Sequence, residues 1–197
     1  MLNKMKKTLI AFSIVPVIAT MSGCALSPQI ITLDSRNTLQ VTETISGRTA
    51  LVRVLDERAV TDSLGSRGGA EPEQALLIAQ PTLKAALTEK MQASLQAFGF
   101  GGASPFQPVK VEMVVNQFNY QCNEGNWVSE CQLDIELRLN IDNDGKVFSQ
   151  PFKLNEERSV AIAPQAEYNS LWINESIDKL WQHIFSKPQV KSALGVQ

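Results

Sequence analysis

The residues best suited to bind a ligand are Asp56 and Arg58, at the end of an apolar run, and Arg67, in a glycine-rich stretch that begins at Gly65. Guanidinium groups bind carboxylates and phosphates through paired, charge-assisted hydrogen bonds. Two interpretations of this motif stay open. In the first, an Asp–Arg bridge pins the glycine-rich loop over the edge of a sheet. In the second, Arg58 and Arg67 present a fork to a carboxylate or phosphate on a partner or lipid.

Four other patterns are better explained without special chemistry. Gly65–Gly69 lacks the Lys-Ser/Thr ending and the following helix of a phosphate-binding loop. Asp142–Gly145 begins like a calcium loop, but no Glu stands at the twelfth position, and a hairpin turn is favoured. We interpret Glu156–Arg158 as a solvated charge cluster and His183, the single histidine, as a residue on a helix surface. We therefore expect no enzyme, no catalytic residues, no cofactor and no metal site.

The N-terminus resembles a bacterial lipoprotein signal. A lysine-rich start and the apolar stretch Thr8–Thr20 precede the tetrapeptide Met21–Cys24. The apolar stretch is shorter than the roughly 20 residues that cross a bilayer, and it has the length of a secretory signal. In such signals, cleavage after a small residue exposes a cysteine that is acylated. We expect residues 1–23 to be removed by cleavage between Gly23 and Cys24, and Cys24 to carry the lipid that anchors the chain to a membrane.

The residue after the acylated cysteine bears on which membrane holds the chain. In the lipoprotein sorting of Gram-negative bacteria, Asp at this position favours retention in the inner membrane. Ala25 stands there instead, so the resemblance implies the outer membrane, with the protein facing the periplasm. The polar, turn-rich composition of residues 24–44 predicts a flexible tether between the lipid and the folded part.

The charge of the chain argues against one class of partner. Lys4, Lys6 and Lys7 lie in the signal, so the mature chain has five more acidic than basic residues. Nucleic-acid binding needs clustered positive charge that displaces counterions. We therefore expect no nucleic-acid partner.

Two cysteines remain once Cys24 carries lipid. Cys122 and Cys131 bracket a polar segment between two strand-like runs. Disulfides form in an oxidising compartment such as the periplasm, and this spacing differs from the C-x-x-C of redox-active pairs. A structural disulfide is favoured over two buried free thiols.

Hydrophobic periodicity predicts the elements that position these residues. A helix is expected from Pro81 to the cap at Gly99 and another over Ala166–Ser186, ended by Pro188. Apolar residues on both faces suggest that the first strand is central in its sheet. The strands are expected at Thr49–Asp56, Val109–Gln121, Leu133–Ile141 and Val147–Ile162, with a polar loop at Glu57–Pro72. The order β-α-β-β-β-α predicts an α+β two-layer sandwich with a mostly antiparallel sheet and two helices on one face. We expect one domain over residues 45–190 and a disordered tail over 191–197.

Three motifs in a fixed order resemble the YajG family of bacterial lipoproteins. These are the strand end Val52–Arg58, the loop Leu64–Gly69, and the helix that closes on Gly99-Phe100. The resemblance spans essentially the whole mature chain. It implies a small periplasm-facing lipoprotein and supplies no catalytic residues. The cysteine pair and the spacing of the loop depart from the family pattern.

The functional expectation is therefore a non-enzymatic outer-membrane lipoprotein of the cell envelope. A binding or scaffold module that docks an envelope protein or polymer through the Glu57–Pro72 loop is favoured. The alternative is an accessory lipoprotein of a lipid or envelope transport system. A lipid-handling protein needs a contiguous apolar groove, whereas a docking module needs a polar loop and rim.

Overall fold

The structure, a computed structural model, describes residues 26–124, 128–161 and 164–196. The signal segment, the cleavage position at Gly23 and the lipidation position Cys24 lie outside the described residues and stay predictions. Within the described ranges, no helix is long and apolar enough to cross a membrane.

A single mixed sheet of seven strands forms the frame of the molecule. The strand order is β1-β4-β3-β5-β6-β7, and β2 pairs with β5 beside β3. Three helices complete the fold of the described ranges. The strands are β1 Gln29–Thr32, β2 Ala50–Asp56, β3 Gly65–Ser66, β4 Leu76–Gln80, β5 Val109–Glu124, β6 Ser129–Asn143 and β7 Lys146–Val160, and the helices are α1 Leu83–Ala97, α2 Ala166–Ser186 and α3 Pro188–Leu194.

The α+β class is confirmed, but the expected element order and the mostly antiparallel sheet are not. The pairs β1–β4, β2–β5 and β3–β5 are parallel, whereas β3–β4, β5–β6 and β6–β7 are antiparallel. Periodicity overlooks β1, β3 and β4 because strands of two to five residues contain too few alternations to detect.

The core lies between the sheet and the helices. Strand β6 alternates strictly, so its apolar residues face the helices while its polar residues face the open side of the sheet. Helix α1 buries its stripe of Leu83, Leu87, Met91 and Leu95, as the sequence predicts. Helix α2 has the expected bounds and contributes Trp172 and Trp181, both fully buried. Burial of apolar surface between these layers is the main stabilising term of the fold.

Two details near these elements differ from expectation. Helix α1 does not start with Pro81 at its first position, because Thr82 is the N-cap and accepts a hydrogen bond from the Ala85 amide at 3.3 Å. Strand β2 is not central: among the described strands it pairs with β5 alone. Leu51, on one of the two apolar faces of β2, is 59% exposed. Apolar residues on both faces therefore do not mean burial on both faces, and the prediction of a central strand is wrong.

The β5–β6–β7 meander follows the sequence prediction more closely. Asp144 and Gly145 both adopt positive φ, at 53° and 81°, which suits the two-residue turn between β6 and β7. The Gly145 amide donates to the carboxylate of Asp142 at 3.0 Å. This hydrogen bond within the turn supports its interpretation as a hairpin turn rather than a calcium loop. Strand β5 has an irregularity in its pairing with β6, between Val115 and Gln117.

The predicted flexible tether is wrong over most of its length. From Gln29 onward the chain forms β1, where Ile31 is fully buried, and Leu33 follows it into the core. Beyond β1, the ammonium of Lys90, 1% exposed, donates to the Arg36 carbonyl at 2.7 Å and pairs with Asp178 at 2.7 Å. A polar, turn-rich composition is compatible with order here because helix side chains bind the backbone of this segment.

The predicted disordered tail is also wrong. Residues 188–194 form α3, and Val190, Leu194 and Val196 are buried. Gly195 ends the helix in the left-handed conformation, and the Asn143 amide donates to the Ala193 carbonyl at 3.0 Å. Pro188 does end α2, but it also begins a new helix at the position where proline is tolerated.

Candidate functional site

Arg58 holds the loop that follows β2. Its guanidinium group forms a paired contact with the Asp56 carboxylate, with Nη2 at 2.8 Å from Oδ2 and Nε at 2.8 Å from Oδ1. Its Nη1 donates to the carbonyl of Ser63 at 2.8 Å and to that of Phe118, on β5, at 3.4 Å. The Arg58 side chain is 5% exposed. This arrangement is the pinned loop of the first interpretation, and it leaves Arg58 too enclosed to present a fork to a partner.

Arg67 lies elsewhere and is also buried, at 6% exposure. Its Nη1 donates to the carbonyl of Ser27 at 3.3 Å, and its backbone amide donates to the Ala75 carbonyl at 2.8 Å. It therefore connects the glycine-rich loop to the point where the described chain begins. The structure does not bring Arg58 and Arg67 together as an anion-binding pair.

Two glycines allow the loop to lie directly on strand β5. Gly65, at φ +130°, and Gly68, at φ +83°, adopt backbone conformations that L side chains rarely take. A Cβ on Gly65 would overlap the carbonyl oxygen of Tyr120, and one on Gly68 would overlap that of Cys122. The requirement for glycine is therefore both conformational and steric, and the predicted polar loop proves to be packed against the sheet.

The loop and β5 enclose a cleft of about 870 Å³. One wall carries Val60, Pro72 and Glu73, and on the β5 side Asn119 and Gln121 are exposed. Asn123 continues this row at alternate positions of the strand, so three amide side chains lie on the same face. The remaining lining residues are Ser63, Gly65, Ser66, Gly68, Gly69, Ala70, Leu76, Phe118, Tyr120 and Cys122. Among the described residues that line the cleft, Glu73 is the one that carries a charge.

A buried hydrogen-bond chain supports β5 from behind. The Tyr120 hydroxyl donates to Asn169 Oδ1 at 2.7 Å, and Asn169 Nδ2 donates to Gln29 Oε1 at 2.7 Å. Gln29 Nε2 in turn donates to the Pro164 carbonyl at 3.0 Å. Burial raises the pKa of Tyr120 well above its usual range, so the phenol stays neutral. The chain joins β5, α2 and β1, and its role is to fix these elements relative to one another.

The disulfide between Cys122 and Cys131 is confirmed. The two residues are direct partners in the β5–β6 register, and they are 2% and 1% exposed. Cys122 also lines the cleft, so the bond fixes its edge near the β5–β6 turn. Such burial suits a structural bond rather than a redox-active one.

Comparison with protein families now identifies the chain. The family model Lipoprotein_16, described as an uncharacterized lipoprotein, matches residues 29–195. The chain belongs to this family. The resemblance to YajG-type lipoproteins is thereby confirmed. The match begins at the first residue of β1 and ends just after α3, so it includes most of the two segments, 24–44 and 191–197, that the sequence analysis placed outside the domain.

Similarity to other known proteins is weaker. A comparison with curated proteins finds no match. A DUF330 family protein from Xanthomonas campestris aligns with a TM-score of 0.48 and 12% identity over 84% of this chain and 95% of that one. A putative neuraminyllactose-binding hemagglutinin homolog from Helicobacter pylori aligns with a TM-score of 0.43 and 9% identity over 82% of this chain and 98% of that one. A further solved structure, of an uncharacterized protein, aligns with a TM-score of 0.40 and 15% identity over 80% of this chain and 98% of that one. Nothing is carried over from similarities at this level.

The remaining candidates in this lipoprotein are structural. His183 is exposed on α2 and contacts the Phe152 ring edge-on at 6.2 Å. Glu156, expected to be solvated, is only 15% exposed, and its carboxylate accepts hydrogen bonds from Trp172, Ser176 and Lys179. These bonds outweigh the effect of burial and hold the pKa of Glu156 at about 2. The described residues contain no cluster of three metal-ligating side chains.

Sequence reasoning overlooked two features of the site. The side-chain amides at positions 119, 121 and 123 alternate with Phe118, Tyr120 and Cys122. This period-two alternation is visible in the sequence and indicates a strand with one polar face. The chain from Tyr120 through Asn169 to Gln29 joins residues far apart in sequence, so no local pattern reveals it.

Proposed function

We propose that this lipoprotein is a non-enzymatic binding module of the outer membrane, which faces the periplasm and holds an envelope partner in the cleft between residues 60–73 and β5. The observation that carries the proposal is the cleft itself. Its loop wall is fixed by Arg58 and by the close approach of Gly65 and Gly68 to β5, so the site is preformed. Preformed sites bind with a smaller loss of conformational entropy.

The lining favours a neutral, polar ligand surface. Amide side chains both donate and accept hydrogen bonds, and they match peptide or hydroxyl groups without needing an opposite charge. Glu73 is the one charge that the described part of the chain contributes to the lining, and it would repel an anionic group. The lipid-transport alternative requires a contiguous apolar groove, and the row of amides on β5 argues against that use of this cleft.

Two further lines support a binding role rather than catalysis. Arg58, a buried cation beside the loop wall of the cleft, is bound by the Asp56 carboxylate and by the backbone carbonyl of Ser63. Glu156 and His183 are not part of the cleft lining and contact neighbouring side chains instead. The excess of acidic residues in the mature chain also disfavours a nucleic-acid partner.

Placement in the outer membrane rests on the sequence around Cys24. The tetrapeptide Met21–Cys24 supports acylation, and Ala25 supports export to the outer membrane. Globomycin, which blocks lipoprotein signal cleavage, should cause the uncleaved precursor to accumulate. Membrane fractionation should then find the mature protein with outer-membrane markers, and processing that ignores globomycin would contradict the anchor.

Site-specific photo-crosslinking in cells tests the cleft. The photoreactive residue should replace Val60, which lines the cleft and is 59% exposed, rather than Leu64, which is 1% exposed. Val147, 76% exposed on β7, is the matched control. One dominant envelope adduct from position 60 that is missing from position 147 supports the proposal. Lipid adducts from position 60 support the transport alternative, and equal adducts from both positions refute a specific cleft.

A further inference from the structure

Three amide side chains form a row along the part of strand β5 that lines the cleft. Asn119, Gln121 and Asn123 occupy alternate positions, so they lie on the same face of the strand, and all three are exposed. Alternate residues of a strand are about 6.7 Å apart, so the row repeats at this interval over about 13 Å. We call these three residues the amide ladder.

The backbone that carries the amide ladder is held firmly on the side away from the cleft. The Tyr120 hydroxyl, between the first two members of the ladder, donates to Asn169 on α2 at 2.7 Å. Cys122, between the last two members, is joined to Cys131 on β6 by the disulfide. The spacing of the ladder is therefore set before any ligand binds, and a ligand loses less conformational entropy on such a preorganised surface.

Two members of the ladder differ from neighbouring amides on the open face of the sheet. On β6 and β7, the amides of Gln132 and Asn155 donate to the carboxylate of Asp134. Asp134 is also the cross-strand partner of Asn119. Within the described ranges, however, no group forms a hydrogen bond with the side-chain amide of Asn119 or of Gln121. Each of these two amides therefore keeps its donors and its acceptor for a ligand in the cleft.

An extended polypeptide matches the spacing of the ladder. Its backbone presents an N–H and a C=O group to the same side at every second residue, which is again an interval of about 6.7 Å. A side-chain amide has the same kinds of donor and acceptor as a peptide bond, so successive members of the ladder pair with successive backbone groups in one register. Residues 118–123 of β5 line the cleft over about 17 Å, which accommodates about five residues of such a peptide.

The loop wall of the cleft determines which side chains the peptide carries. Val60 and Pro72 present apolar surface there, Glu73 presents a carboxylate, and all three residues are exposed. Side chains of an extended peptide alternate in direction, so every second one faces this wall. Apolar and basic side chains fit these positions, whereas the Glu73 carboxylate repels acidic ones.

We propose that the ligand of the cleft is an extended, neutral or basic polypeptide segment that lies along β5 and is held through its backbone by the amide ladder. The proposal rests on the binding role proposed for the cleft and names the class of its ligand. Backbone groups are shared by all residues, apart from the N–H that proline lacks, so this recognition tolerates varied sequences.

Peptide selection on the full-length protein in detergent tests the proposal. The probe is a phage-displayed library of random dodecapeptides, and the Kd of a synthesised, selected peptide is measured by fluorescence anisotropy. Asn119→Ala and Gln121→Ala should each weaken binding about 10-fold, because each removes hydrogen bonds to the peptide backbone. Gln132→Ala is the matched control and should leave the Kd unchanged, because Gln132 is the cross-strand partner of Gln121 but does not line the cleft. All three residues are exposed, so the substitutions remove no core contact.

Methylation of the peptide backbone tests how the ladder binds it. Each N-methyl group removes one N–H donor. Methylation at the positions that face the ladder, which are every second residue, should weaken binding about 10-fold, whereas methylation at the positions between them should have little effect. Selected peptides should also contain few acidic residues, and Glu73→Gln should remove that bias.

Several outcomes overturn the proposal. Selection that enriches no peptide refutes the ligand class, and equal effects of Gln121→Ala and Gln132→Ala refute the role of the ladder. A methylation pattern without the two-residue period shows that the backbone is not what the ladder binds.

The photo-crosslink from Val60 separates this proposal from the proposed function. A dominant adduct in cells whose partner is a sugar chain refutes the peptide and leaves the cleft as a binding site. A peptide that binds through Gln121, without any adduct from position 60 in cells, refutes the docking of an envelope partner and leaves the ligand class standing.

Discussion

Replacing Gly68 with Ala tests whether the loop must lie directly on β5. The matched control is Gly145→Ala in the β6–β7 turn. The two glycines have nearly the same φ, +83° and +81°, so an alanine pays a similar conformational cost at both positions. They differ in their surroundings. A Cβ on Gly68 would overlap the Cys122 carbonyl oxygen, whereas a Cβ on Gly145 would have no atom within 4 Å.

The expected loss of stability follows from these two contributions. An L residue in the left-handed region costs about 1 kcal/mol, and Gly145→Ala should lose about that amount. Overlap with backbone forces the loop and β5 apart, and steric overpacking of this kind costs about 1–3 kcal/mol more. Gly68→Ala should therefore lose about 2–4 kcal/mol.

Equilibrium unfolding in urea, followed by tryptophan fluorescence with the disulfide intact, measures both values. The crosslink from Val60 should also weaken in the Gly68 variant and persist in the Gly145 variant, because only the first displaces the wall of the cleft. Equal losses of stability, within about 0.5 kcal/mol, would show that the contact between Gly68 and Cys122 does not determine the position of the loop.

Three further perturbations test the contacts that hold the domain together. Asp178→Asn leaves the ammonium of Lys90, 1% exposed, without its carboxylate and should cost about 2 kcal/mol in urea unfolding, and adding Lys90→Met should recover part of that loss. Glu156 has a folded-state pKa of about 2, below its ordinary value, so its contribution to stability is present above pH 4.5 and is lost as the pH falls towards 2; Glu156→Gln should flatten the stability profile in that window. Reducing the Cys122–Cys131 bond should cost about 2–3 kcal/mol, and the double alanine variant should show no response to reductant.

Sequence predicts those parts of this fold that local patterns determine. The bounds of α2 follow from its apolar stripe, and the alternation in β6 correctly separates the residues that face the helices from those on the open face. The Asp144-Gly145 turn and the Cys122–Cys131 bond join residues close in sequence. In each case the information lies within a short window, which is where periodicity and turn preferences act.

The rest of the fold depends on contacts that no window contains. Strand β1 is stabilised by parallel pairing with β4, by burial of Ile31 and by the Asn174 amide, which donates to the Thr32 carbonyl at 2.8 Å. Lys90 lies next to the apolar stripe of α1. Its burial is explained by the Asp178 carboxylate and the Arg36 carbonyl, which its ammonium group contacts and which are distant in sequence. These contacts do not show in composition, so the polar composition of residues 24–44 predicted a flexible tether.

The candidate site illustrates the same limit. The sequence located the loop and suggested that an Asp–Arg bridge could fix it, which is the geometry observed for Asp56 and Arg58. It also suggested a second use for Arg58 and Arg67 in anion binding, and their burial against different partners removes that use. The polar side of the cleft comes from β5, whose position beside the loop is set by the pairing of β3 with Tyr120 and Gln121.

The short connection to Cys24 also constrains where the cleft can act. Tyr120 lines the cleft and is linked to Gln29 across the sheet by the pairs Gln29–Leu77, Leu77–Gly65 and Gly65–Tyr120, and only four residues stand between Cys24 and Gln29. The proposed lipid on Cys24 would therefore lie within about 17 Å of Gln29. A domain on a flexible tether could reach partners at varied distances, whereas the proposed anchor would hold this cleft close to the membrane. A partner of the cleft must therefore present its neutral, polar surface close to the membrane, and lengthening the chain between Cys24 and Ser27 should weaken that contact in cells without changing the stability of the domain.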